Sequence, residues 1–199
     1  MPEAAFNTSK LYNLRSESNQ STLAFSAFAG GTQISIFKGD YTPGSRPTSI
    51  MISPTVRKML IECFTECIKA APGAKFPIIM KKWNNEKKTR EINNVLIPGK
   101  DENGVFFLEV KTGNGAPEKF PLRGDKNIER SGEMDSDSGR SKHEVEALIM
   151  FMKQEWPTSA LMTRFGLQNQ QKGGGKPQGK PQGSSDYSAQ SAAMDDDIY

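Results

Sequence analysis

A helix in the middle of the chain divides everything else into two groups of strands. Ser53-Pro54 has the form of a helix start: a serine to cap the first amides, then a proline at the first helical position, where its missing N–H costs nothing. Val56, Met59, Leu60, Cys63, Phe64, Cys67 and Ile68 then fall at helical spacing on one stripe. Arg57, Glu62, Glu66 and Lys69 take the other side, and Ala71-Pro72-Gly73 ends the run. A sheet cannot continue through such a segment. The chain is therefore expected to fold as two strand-rich halves, each closed by a helix.

Before that helix, residues 1–20 read as an extended polar arm with Phe6, Leu11, Tyr12 and Leu14 as docking points. Residues 22–29 and 32–38 read as strands joined by a Gly30-Gly31 hairpin turn, and 48–52 as a third strand after a loop. Alternation puts Ile34 and Ile36 on one face and Gln33, Ser35 and Phe37 on the other. After the helix, 76–83, 88–97 and 105–111 read as strands, with turns at Asn84-Asn85 and 98–104. A short fourth strand is expected at 119–123, then a charged, mobile excursion over 124–142. A last helix is expected over 143–156, with Val145, Leu148, Ile149, Met152 and Trp156 on its apolar stripe. Ser141 and Glu144 read as its capping box and Pro157 as its end. The expected class is α+β, two antiparallel-sheet-plus-helix halves of roughly 60–70 residues each, repeated in plan and not in sequence. A five-stranded barrel of the OB-fold kind is the alternative.

From residue 172 the composition changes to a Gly/Pro/Gln/Lys run (GGGKPQGKPQG), with too little apolar surface to offset its ordering entropy. This linker is expected to be disordered. It ends in Asp195, Asp196, Asp197, Ile198 and Tyr199, a ligand on a tether suited to a cationic pocket with an apolar floor. The expected organisation is an arm (1–20), a binding domain (21–171) and a linker with its tip (172–199). The tail holds three lysines and four aspartates, so the 26 basic and 23 acidic side chains of the chain leave 23 and 19 in the body. Asp125, Glu129, Glu133, Asp135 and Asp137 crowd one segment of it, and what remains is distinctly basic. A basic body with segregated acids points to a nucleic-acid partner. No apolar run is long enough to span a bilayer, and the N-terminus lacks a leader's basic and apolar regions. A cytoplasmic protein without a membrane partner is expected.

Catalysis has little to build on. His143 is the only histidine, and Cys63 and Cys67, placed on an apolar stripe, lack the further ligands of a metal site. Gly173-Gly174-Gly175 leads into no helix that would cradle a phosphate, and the acids of 125–137 lack calcium-loop spacing. Neither an enzyme nor a cofactor is expected. Binding has more. Lys75, Lys81, Lys82, Lys87, Lys88 and Arg90 crowd one hairpin with Trp83 at its bend, and alternation places Lys81 and Trp83 on one face. Single strands are held by cations at the phosphates and aromatic faces under the bases. Phe37, and Phe107 in alternation with Glu109 and Lys111, are further expected platforms, with Tyr41 and Arg46 expected to close over the strand.

The tail resembles that of single-stranded-DNA-binding proteins of bacteria and phages. Asp195, Asp196, Asp197 and Ile198 match the common bacterial ending, and Tyr199 stands where that ending has Pro-Phe. In that family the tip recruits replication and repair proteins and competes with nucleic acid for the basic body. The plan of the body is similar to that of the Whirly family, and in single-unit form to the related coactivators that bind melted DNA. Ile50-Met51-Ile52-Ser53-Pro54-Thr55 is similar to the Whirly apolar-Ser-Pro-Thr helix entry, and INNVLIPGKDENGVFFLEV (92–110) to its long hairpin. Residues 24–31 stand where that family carries Lys-Gly-Lys-Ala. Together the resemblances imply a sequence-tolerant, bacteriophage-type protein that coats single-stranded DNA in replication, recombination or repair. They also imply a homo-oligomer, with 158–167 (TSALMTRFGL) as candidate assembly segment. An RNA-binding or transcription-regulatory protein, and an adaptor that binds no nucleic acid, are the alternatives.

Overall fold

The first half of the chain builds one antiparallel sheet and the second half builds another. The computed structural model describes residues 9–28, 31–39, 47–113, 115–124 and 136–164. Strands β1 (Ser9–Arg15), β2 (Ser21–Phe28), β3 (Gly31–Lys38) and β4 (Thr48–Ile52) lie side by side in that order, and helix α1 (Pro54–Lys69) follows. Strands β5 (Ile78–Asn84), β6 (Thr89–Lys100), β7 (Phe106–Thr112) and β8 (Glu118–Pro121) repeat the plan, followed by α2 (Asp137–Lys153) and α3 (Glu155–Arg164). The class is α+β, with two open four-stranded sheets and no closed barrel among the described residues.

Alternation fills the core from both sheets. Leu23, Phe25, Ile34, Ile36, Ile50 and Ile52 point inward from the first, and Ile78, Leu96, Leu108, Val110 and Phe120 from the second. Helix α1 adds Leu60, Phe64 and Cys67, and its cap is as expected, with Ser53 Oγ accepting from the Val56 N–H at 3.2 Å. Its other end is held by Lys100, whose Nζ donates to the Ala70 carbonyl at 2.8 Å, a cation where the helix dipole is negative. An aromatic cluster joins the two halves. Trp156 packs edge-on against Phe25 (5.2 Å between centroids), stacks on Phe151 (6.0 Å), and donates Nε1–H to the Ser26 carbonyl at 2.8 Å.

Several sequence expectations are corrected. Residues 9–15 are not a free arm but the edge strand β1. A bulge puts Lys10 opposite Ser26 and Tyr12 opposite Phe25, so Leu11 is an extra residue and breaks the alternation a strand would show. Gly31 belongs to β3 and pairs with Phe28. Pro98-Gly99 lies inside β6 instead of a turn; the turn comes at 101–104, where Asp101 Oδ1 accepts from the Asn103 and Val105 N–H groups (3.0 and 2.8 Å). Helix α2 starts at Ser136, whose Oγ accepts from the Gly139 N–H at 3.0 Å. Ser141 is therefore no cap. It is buried inside the helix, and its Oγ accepts from the Phe106 N–H at 2.8 Å, tying α2 to β7. Pro157 does not end the helical segment either, since it sits in the first turn of α3, where a proline is tolerated.

Candidate nucleic-acid interface

The hairpin β5–β6 carries its own scaffold at the tip. Asn84 Oδ1 accepts from the N–H groups of Glu86 and Lys87 (3.0 and 3.2 Å), while its Nδ2 donates to Glu91 at 3.0 Å. Lys87 Nζ closes the ring on Glu91 at 2.8 Å. The amide and the ammonium hold the Glu91 carboxyl below the usual carboxylate range, and the same contact raises the Lys87 pKa. Lys88 completes the turn at φ 50°.

Pairing then decides which side chains share a face, because residues opposite one another across antiparallel strands project to the same side. Trp83 faces Arg90 and Lys81 faces Ile92, so these make the outermost rungs of one surface. A bulge at Asn93, between the pairs Met80↔Asn94 and Lys81↔Ile92, shifts β6 while β5 runs on unbroken. The next rungs are Ile79–Val95–Lys111, then Ile97–Glu109–Lys119, then Gly99–Phe107–Pro121, with Lys75 bridged to Gly99. This is the outer face of the second sheet. Trp83 is 51% exposed and Ile92 57%, so the end toward the tip is open, apolar and flanked by cations.

The cations of this sheet and its hairpin fall into two groups. Lys81, Lys82, Lys88, Arg90 and Lys111 are exposed and have no ion pair among the described residues. Lys75 is paired with Glu109 at 3.7 Å, Lys119 with Glu17 and Asp101 at 3.5 and 3.8 Å, and Lys87 with Glu91. Lys82 is exposed but lies opposite Glu91, on the reverse side of the hairpin from Trp83.

The sequence expectations for the site divide accordingly. Lys81 and Trp83 share a face, and Arg90 joins them. Phe107 is not a platform: it is on the predicted face, but only 1% exposed. Lys119 and Lys75 lie over its ring at 4.8 and 5.8 Å, and a ring so covered offers no face to a base. Phe37 lies on the outer face of the first sheet, half-buried and paired with Thr22, away from the hairpin. Tyr41 and Arg46, and the tip residues Asp195, Asp196, Asp197, Ile198 and Tyr199, fall outside the described residues. The sequence reading passed over Lys119, Arg15 and Arg123. Extending the alternation of β8 by one step would have found Lys119 and Arg123, whereas Arg15 is on the strand that the bulge disguised.

Among the described residues no three His, Cys, Asp or Glu side chains are grouped to hold an ion. Burial pushes the Cys67 thiol up to about 12 and raises Cys63 as well, so both stay protonated and weakly reactive at neutral pH. Among the described residues no helix is long and apolar enough to cross a membrane. No family model matches the chain, and no curated protein or solved structure matches it.

Proposed function

We propose that this protein binds single-stranded DNA with little sequence preference, coating and protecting it in replication, recombination or repair, with hairpin β5–β6 as the centre of the site. The observation that carries the reading is Trp83, half-exposed between Lys81 and Arg90, whose charges no acid neutralises among the described residues. An indole left open between free cations can stack on an unpaired base while the cations take the flanking phosphates; each stacked base is worth about 1–3 kcal/mol. In a duplex the base faces are already stacked, so the same surface would prefer single strands. Repetition of four strands and a helix supports a Whirly-like fold for the whole. The tip, 195–199, is proposed to recruit replication or repair proteins. Exposed Met59, Met150 and Leu161 on α1, α2 and α3 favour assembly through the helical side. The protein would act in the cytoplasm, of a bacterial host if it is phage-borne, without a cofactor and without chemistry on the strand it holds.

The test is fluorescence anisotropy with a labelled oligonucleotide of about 16 nucleotides, the upper end of the usual site range. It is run at low and high salt against duplex and RNA competitors. Binding that falls steeply with salt and resists duplex is expected. Trp83 and Trp156 are the only tryptophans, and Trp156 is buried, so quenching of exposed indole emission on binding reports Trp83. Duplex preference, or no binding, rejects the reading; RNA winning at equal length turns it into an RNA-binding one.

A further inference from the structure

The edge strands of the two sheets meet at a seam, where the Glu17 N–H donates to the Lys119 carbonyl at 2.9 Å. A cleft of about 310 Å³ opens there, lined by Asn13, Arg15, Ser16, Asn19, Arg123 and Glu144 among others. Arg15 comes from β1 and Arg123 from just beyond β8, so one cleft is lined by two arginines from different sheets. Neither has an ion pair or side-chain hydrogen bond among the described residues. Glu144 also lines the cleft, but the Tyr12 hydroxyl donates to its Oε1, and burial makes its carboxyl harder to ionise. Among the described residues lining the cleft, two arginines thus face one carboxyl, and the balance of charge there is positive.

The cleft lies on the line of the hairpin surface. The Leu122 N–H still pairs with the Phe106 carbonyl at 2.8 Å, so the alternation of Lys119 and Pro121 runs on to exposed Arg123. By the strand register, Arg123 lies four rung steps and three strand spacings from Lys81, a diagonal of about 30 Å. Lys111 carries the hairpin's free cations one rung further, beside Val95. Beyond it Lys75 and Lys119 face Glu109, Glu17 and Asp101, leaving a stretch over Ile97 with no free cation among the described residues.

We infer that Arg15 and Arg123 form a second phosphate subsite for the same single strand, which crosses the outer face of the second sheet from the hairpin to the seam between the sheets. Its ligand is a phosphodiester of the bound strand, taken by two guanidinium forks, the geometry that suits a tetrahedral oxyanion. This rests on the proposed single-strand binding, and it predicts that phosphate contacts come in two clusters with few between them.

Length dependence tests it. Oligonucleotides of about 4 and about 16 nucleotides bracket the usual range, and the shorter cannot span about 30 Å from the hairpin. Arg15→Ala with Arg123→Ala is expected to leave the short oligonucleotide's affinity unchanged and to weaken the long one about tenfold. The slope of log affinity against log salt should fall by about 0.7 for the long one, the share of the one phosphate that the two arginines hold together. Both side chains are outside the core, and an unchanged melting temperature confirms that the variant is folded. Replacing both by lysine keeps the charge and is expected to restore most of the slope. If the wild type binds both oligonucleotides and the double variant matches it on each, the subsite is overturned while single-strand binding stands. If the wild type binds neither, the proposed function fails and the subsite with it.

Discussion

Trp83 and Phe107 occupy the same face of the same sheet, one 51% exposed and the other 1%. What separates them is the number of strands alongside. At Phe107 three strands lie side by side, with Pro121 on one side and Gly99 on the other, and Lys75 folds across from its bridge to Gly99. Gly99 has no side chain because none fits: a Cβ there would lie 2.4 Å from the Phe107 ring. At Trp83 only β5 and β6 remain, since β7 ends opposite Asn94. A side chain's face follows from alternation, but its exposure follows from which neighbours reach that far. The open end suits a ligand and the closed end serves the fold.

The largest expected effect tests the closed end. Phe107→Ala should cost about 3–5 kcal/mol, the usual range for a buried aromatic, read as a shift of the urea midpoint. A cost near zero would mean the ring is not packed and would return it to the candidate platforms. Gly99→Ala should cost about 1–3 kcal/mol through overpacking against the same ring, measured the same way. Trp83→Ala should behave oppositely. Its stability should stay within about 0.5 kcal/mol, as for exposed positions generally, while affinity for a single-stranded oligonucleotide drops by about 1–3 kcal/mol. A large loss of stability with unchanged affinity would show that the hairpin is structural and would erase the contrast.

The parts of this molecule that could be read in the sequence are those set by near neighbours. Helix α1 was legible because cap, proline and apolar stripe all agree within a few turns. The sharing of a face by Lys81 and Trp83 needed only a period of two. By contrast β1 was hidden by one extra residue at Leu11, and the start of α2 by a Ser/Asp/Gly composition that reads as loop while a decoy capping box follows at Ser141. Arg90 joins Trp83 only once the register is known. The closure over Phe107 and the meeting of Arg15 with Arg123 depend on chain segments far apart in sequence, about which local pattern carries no information.

The contrast also sorts the lysines, and here the expected effects are smaller. Lys81→Ala and Arg90→Ala should each lower the salt slope for single-stranded DNA by about 0.7, one phosphate contact apiece, whereas Lys75→Ala and Lys87→Ala should leave it nearly unchanged. For Lys87 the reason can be checked without any ligand. The Asn84 amide, and with it the Lys87 ammonium, stabilise the charged form of Glu91, so Glu91 should titrate below an ordinary glutamate when its carboxyl carbon is followed by NMR. The sign follows from linkage. A carboxyl whose pKa is depressed in the folded state adds stability above its unfolded pKa and loses it as pH falls through the folded one, so Glu91 should let the tip loosen on the acid side. Lys87, whose pKa is raised, loses the same contact as pH rises through its folded value. Lys87→Ala should move the Glu91 titration back up toward the ordinary value. If Glu91 already titrates there in the wild type, the contact is not populated in solution. Lys87 then belongs with Lys81 and Arg90 among the cations free for phosphate.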